Sequence, residues 1–158
     1  MNTYKAFLVA VCCCTAVLGV TGTENSNKAL RWTFQNSFYE LVTDTELGWA
    51  QAKNECRRKG MWLVSFESDE EYYTVLEFIK PLKMIFWTSG SDDGHDGEFY
   101  WEATGKSIGS FTSWLPGEPT IGTDLEHCLQ MADYNEFLWS NEDCNKTANY
   151  ICEGEVCP

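Results

Sequence analysis

Three short segments late in the chain carry most of the side chains able to hold an ion or a polar ligand. They are Glu118-Pro119-Thr120, Glu126-His127-Cys128 and Trp139-Ser140-Asn141-Glu142-Asp143-Cys144. Their carboxylate, amide and hydroxyl oxygens suit hard cations and neutral, hydroxyl-bearing ligands. Glu118 and Glu126 are also the residue types that serve as acid and base in glycoside hydrolysis. Nothing else supports catalysis, because the chain has no His-paired nucleophile, phosphate loop or metalloprotease motif, so no enzyme is expected. A second acidic group, Asp92-Asp93-Gly94-His95-Asp96-Gly97-Glu98, does not complete an EF-hand pattern and reads as a solvated turn. His95 and His127 are the only histidines, and with the cysteines engaged in bridges they do not predict a zinc site.

The elements that must position these residues can be read from periodicity and punctuation. Trp49, Ala52 and Cys56 recur at helical spacing until Lys59-Gly60, which predicts a first helix over residues 48–59. Ser68 with Glu71 forms a capping-box pattern, and Tyr72, Val75, Leu76 and Ile79 share one face until Pro81, which predicts a second helix. Short apolar or aromatic pieces follow at 84–89, 98–101, 128–132, 137–140 and 148–152, separated by Gly, Asp, Asn and Pro clusters, and these read as strands. An earlier strand over 34–39 is expected to pair with the last one. Residues 105–124 read as a long irregular loop. This order implies an α+β fold rather than alternating α/β.

Composition limits the partners and the compartment. The apolar run from Ala6 to Val20 after Lys5 reads as a secretory signal peptide over residues 1–22, followed by a polar leader over 23–29. The domain would then run from 30 to 154, with a tail over 155–158. With 24 acidic against 11 basic residues, a formal charge of −13, nucleic acid is an unsuitable partner. No membrane insertion is expected once the signal peptide is cleaved. Of eight cysteines, Cys12, Cys13 and Cys14 fall inside the signal peptide, and Cys56, Cys128, Cys144, Cys152 and Cys157 remain. In an oxidising compartment four can form two bridges, leaving a free thiol or a link to another chain. Asn145-Lys146-Thr147 is an N-glycosylation sequon at Asn145, consistent with a secreted, extracellular protein.

The ordered landmarks Trp49 to Cys56, Gly60-Met61-Trp62-Leu63-Val64-Ser65, Phe86-Trp87-Thr88-Ser89-Gly90, Phe99-Tyr100-Trp101, Trp114 to Pro119, Glu126 to Cys128, Trp139 to Cys144 and Tyr150 to Glu153 carry a resemblance. The chain resembles the C-type lectin-like domain over about residues 30–154, in the style of small secreted insect lectins of humoral immunity. That resemblance implies a C-type lectin-like fold of two helices with short antiparallel sheets and a long irregular loop region, stapled by disulfides. It pairs Cys56 with Cys152 and Cys128 with Cys144. Cys157 then has no counterpart and is expected to be unpaired or to link a dimer. It also implies a cis peptide bond before Pro119 and a structural role for Trp114 and Trp139.

In sugar-binding members of that family, calcium is held by positions that correspond here to Glu118, Thr120, Glu126, Ser140 and Asn141. The resemblance therefore marks all five as carbohydrate contacts and Glu118, Glu126 and Asn141 as metal ligands. Asn141 stands where the family has an Asp, which removes one negative charge. Thr120 and Ser140 stand where it has Asn, which removes two amides able to donate to a sugar. The implied function is a secreted, pattern-recognition lectin for glycans, calcium-assisted through a weakened site. The competing implication is a dimeric module for a glycoprotein or protein surface, on a lectin scaffold that has lost calcium and sugar.

Overall fold

The computed structural model describes residues 29–109, 111–122 and 124–156. The expected signal peptide and leader up to residue 28, and Cys157 with its proposed link, lie outside the described residues. Strands β1 (Leu30–Phe34) and β2 (Ser37–Leu47) form an antiparallel hairpin turned at Gln35, whose φ is 50°. The strand expected over 34–39 therefore straddles this turn, since its weak alternation hides a reversal of the chain.

Helix α1 (Trp49–Arg58) buries Trp49, Ala52 and Cys56, three residues spaced to fall on one face. Beyond it the chain reverses through Gly60 at φ +72°, a conformation that favours glycine. Helix α2 (Asp69–Ile79) starts where Ser68 Oγ accepts the N–H of Glu71 at 3.2 Å, with Asp69, Glu70 and Glu71 in its first turn against the positive end of the helix dipole. It runs into a 3-10 turn, Lys80–Leu82, at Pro81. No helix among the described residues is long and apolar enough to cross a membrane.

The remaining strands are β3 (Trp62–Leu63), β4 (Ile85–Ser91), β5 (Tyr100–Trp101), β6 (Lys106–Ser107), β7 (Cys128–Ala132), β8 (Trp139–Glu142) and β9 (Ala148–Glu155). β9 pairs antiparallel with β2 and β3 and parallel with β4, at Phe86 opposite Asn149 and Trp87 opposite Tyr150. β4 continues to β7 and β7 to β8, both antiparallel. The fold is thus α+β, with a mixed rather than purely antiparallel sheet. The parallel pair joins segments far apart in sequence, so no local turn signal announces it.

Disulfides Cys56–Cys152 and Cys128–Cys144 tie α1 to β9 and β7 to the segment after β8. Trp139 is fully buried, with the rings of Phe66, Tyr72, Trp101, Phe111 and Trp114 at centroid distances of 5.4–6.0 Å. Most of these neighbours meet it edge to face, the arrangement that the ring quadrupoles favour. This aromatic hub anchors the loop that follows.

Candidate functional site

The segment carrying Glu118 is stitched to β8 by main-chain bonds. Trp139 N–H donates to Ser113 O at 2.7 Å and Leu115 N–H donates to Trp139 O at 2.9 Å, while Trp114 packs its ring on Trp139. Glu118 N–H then closes a turn on Leu115 O at 2.9 Å, Gly117 supplies φ +95°, and the Glu118–Pro119 peptide is cis. The aromatic core thereby sets where the loop leaves the sheet, and β8 supplies the floor beneath it.

β8 begins at Trp139, two residues later than the strand expected over 137–140, because Glu136 and Phe137 adopt φ values of 60° and 63°. Such a left-handed pair turns the chain and cannot lie in a strand. The shift places both Ser140 and Asn141 in β8, where successive side chains leave on opposite faces. Ser140 is buried and accepts a 3.4 Å bond from Gln130 Nε2, its cross-strand partner on β7. It has no hydrogen bond to Glu118, Thr120 or Glu126.

Asn141 turns toward the loop and joins Thr120 and Glu126 directly. Its Oδ1 accepts from Thr120 N–H at 2.9 Å and lies 3.3 Å from Thr120 Oγ1. Its Nδ2 donates to Thr120 O and to Glu126 O, each at 2.7 Å. Thr120 N–H is shared with Glu118 Oε2 at 2.9 Å, and the Thr120 hydroxyl is shared with Glu126 Oε2 at 3.3 Å. One oxygen of each carboxylate is therefore engaged within the loop. Glu118 Oε1 and Glu126 Oε1 have no hydrogen bond to a described residue. Glu118 and Glu126 are half-buried, whereas Thr120, Ile121 and Leu125 around them are exposed.

This donor set does not fit a calcium ion held by all the positions that the resemblance implies. Calcium asks for six to eight oxygens. Asn141 presents its oxygen to the Thr120 N–H and hydroxyl, and its other amide atom is a donor; Ser140 faces Gln130. In this arrangement Asn141 bridges β8 to Thr120 and Glu126. Among the described residues of the loop, Glu118 and Glu126 each keep a carboxylate oxygen without a hydrogen bond.

The acidic stretch at residues 92–98 is not a solvated turn throughout. Asp92 is only 3 % exposed, accepting the Gly97 N–H at 2.8 Å and facing His127 Nδ1 at 3.0 Å. Asp96 Oδ1 lies 3.9 Å from the same nitrogen, so Asp92, Asp96 and His127 form a compact group beside Glu126. Hydrogen bonding to Asp92 raises the His127 pKa above its usual value, against the opposing effect of desolvation. The histidine lies 35 positions beyond Asp92, which is why the spacing gave no warning.

A separate cavity of about 840 Å³ shares none of its lining with the loop and includes Tyr39, Ser65, Glu71 and Glu153. Burial, then the nearby Glu71 carboxylate, pushes the Glu153 carboxyl up to about 7. Ser37 Oγ donates to it at 2.7 Å. The sequon residue Asn145 is exposed in the turn after Cys144, its Nδ2 donating to Asp143 Oδ1 at 3.0 Å.

Comparison with known proteins places these features in a family. The Lectin C-type domain profile matches residues 45–154. The chain is 30% identical over 128 residues to C-type lectin 37Da of Drosophila melanogaster, covering 75% of this chain and 68% of that one. It is 29% identical over 124 residues to lectin subunit alpha of Sarcophaga peregrina, covering 73% of this chain but only 44% of the relative's length. Among solved structures, a Ca2+-dependent type II antifreeze protein in its Ca2+-free form superposes with a TM-score of 0.71 at 27% identity, over 78% of this chain and 96% of that one. The profile match spans both helices, both disulfides and the loop bound by Asn141, and on it the chain belongs to the C-type lectin domain family.

Proposed function

We propose that this protein is a secreted lectin that binds glycans at the loop between Glu118 and Glu126, in the manner of a pattern-recognition protein. The observation that carries the reading is the pair of carboxylate oxygens, Glu118 Oε1 and Glu126 Oε1, without a hydrogen bond among the described residues and flanking exposed Thr120. Ionised carboxylates are strong acceptors for sugar hydroxyls, and bonds to charged groups contribute about 1.5–3 kcal/mol each. Ile121 and Leu125, 68 % and 58 % exposed, supply apolar contact for the C–H faces of a sugar. This recognition needs no calcium. Membership of a lectin family supports the ligand class, and the exposed sequon at Asn145 supports passage through a secretory route.

Glycan-array binding by the disulfide-bonded protein tests the proposal, first with a chelator and then with millimolar calcium. Binding to at least one glycan class in both conditions is expected. The paired substitution Glu118→Gln and Glu126→Gln should weaken it by about tenfold or more while leaving the melting temperature nearly unchanged. An array that stays blank in both conditions would sink the reading.

A further inference from the structure

We infer that Asn141 holds the ligand loop in shape by itself, doing with an uncharged amide what a bound cation does in metal-dependent loops. The inference rests on reading this loop as the ligand site, but its test reads loop shape rather than sugar binding. Asn141 is 6 % exposed and sits on the floor strand β8. Its amide joins three pieces of chain: β8 itself, the segment after Pro119 through Thr120, and the lead into β7 through Glu126.

Main-chain groups fix the orientation of the amide. Thr120 N–H, 2.9 Å away, can only donate, so it requires Oδ1. The carbonyl oxygens of Thr120 and Glu126, each 2.7 Å away, can only accept, so they require Nδ2. A flipped amide would set donor against donor and its oxygen against two carbonyls. Both ends of a buried side chain are therefore engaged with the loop's own backbone, and its polar atoms are satisfied without any added ion.

The choice of Asn over Asp decides how such a loop can be held. An aspartate at 141 would keep the acceptor for Thr120 N–H. It would also place a second carboxylate oxygen where Nδ2 now stands, within 2.7 Å of two carbonyl oxygens and close to Glu118 and Glu126. At a pH where the carboxylate stays ionised, a cation among these oxygens would relieve that repulsion. Asn141 thus makes the loop self-held, whereas Asn141→Asp would make it cation-held.

Amide hydrogen exchange at Thr120 and thermal melting of the full disulfide-bonded protein, in chelator and in millimolar calcium, test the inference. In the unmodified protein Thr120 should be protected in chelator, and calcium should change neither its exchange nor the melting temperature. Asn141→Asp should lose that protection by about tenfold or more in chelator and regain it with calcium, because a ligand stabilises only the form it binds. Should that variant fail to fold, the unmodified protein decides alone. Fast Thr120 exchange in chelator that slows about tenfold with calcium would overturn the inference, whatever the glycan array shows. A blank array with a protected, calcium-insensitive loop would overturn only the lectin reading.

Discussion

His127 shows how a residue can acquire a role that its neighbours in sequence do not announce. It faces Asp92 at 3.0 Å, with Asp96 and Asp93 contributing further negative charge. Its folded-state pKa is raised, so its contribution to stability is complete below the unfolded value, about 6.5, and is lost as pH rises through the higher folded value. His127→Gln keeps a donor for Asp92 but no titrating charge. It should cost at most about 1 kcal/mol near pH 5.5, and the gap should close by pH 9, as read from paired melting curves. A gap independent of pH would show that the imidazolium charge contributes nothing. At this scale the sequence told where oxygen ligands gather but not which way each side chain points. Ser140 and Asn141 are adjacent, and only knowing that a strand starts at Trp139 separates their faces.

The two helices were legible because their signals are local: a Lys59-Gly60 stop, a Ser68–Glu71 start and a Pro81 end. The strands β3 and β6 were not read as strands, and the parallel contact of β4 with β9 depends on segments more than sixty positions apart. β4 also holds a constraint that composition hides. A Cβ added at Gly90 would lie 2.7 Å from Leu129 Cβ and 2.8 Å from its Cδ1, and Leu129 is fully buried in β7. Gly90→Ala should therefore push β4 and β7 apart and cost about 1–3 kcal/mol in denaturant unfolding. A change below about 0.5 kcal/mol would mean that Leu129 can move aside.

For the whole molecule, the two bridges act over different spans. Cys56 and Cys152 are 96 positions apart, and Cys128 and Cys144 are 16 apart. In the chain-entropy account the first contributes about 4–5 kcal/mol and the second about 3. Replacing each pair with Ala should lower stability in that order, measured by denaturant midpoints at constant slope. The reverse order would place the stabilisation in local loop contacts rather than in the unfolded ensemble. The bridged cysteines lie at the landmarks that carried the family resemblance, which is why this global feature was readable while the mixed sheet was not.

The position of β9 has a consequence for biosynthesis. It is the last strand described, yet β2, β3 and β4 all pair with it. During synthesis the earlier strands wait for a partner that has not yet been made. The β1–β2 hairpin and the β4–β7–β8 ladder can form without β9, but the two halves of the sheet can join only after β9, up to residue 155, has emerged. A nascent chain arrested before Ala148 should remain open to protease, whereas one extended past Glu155 should become resistant.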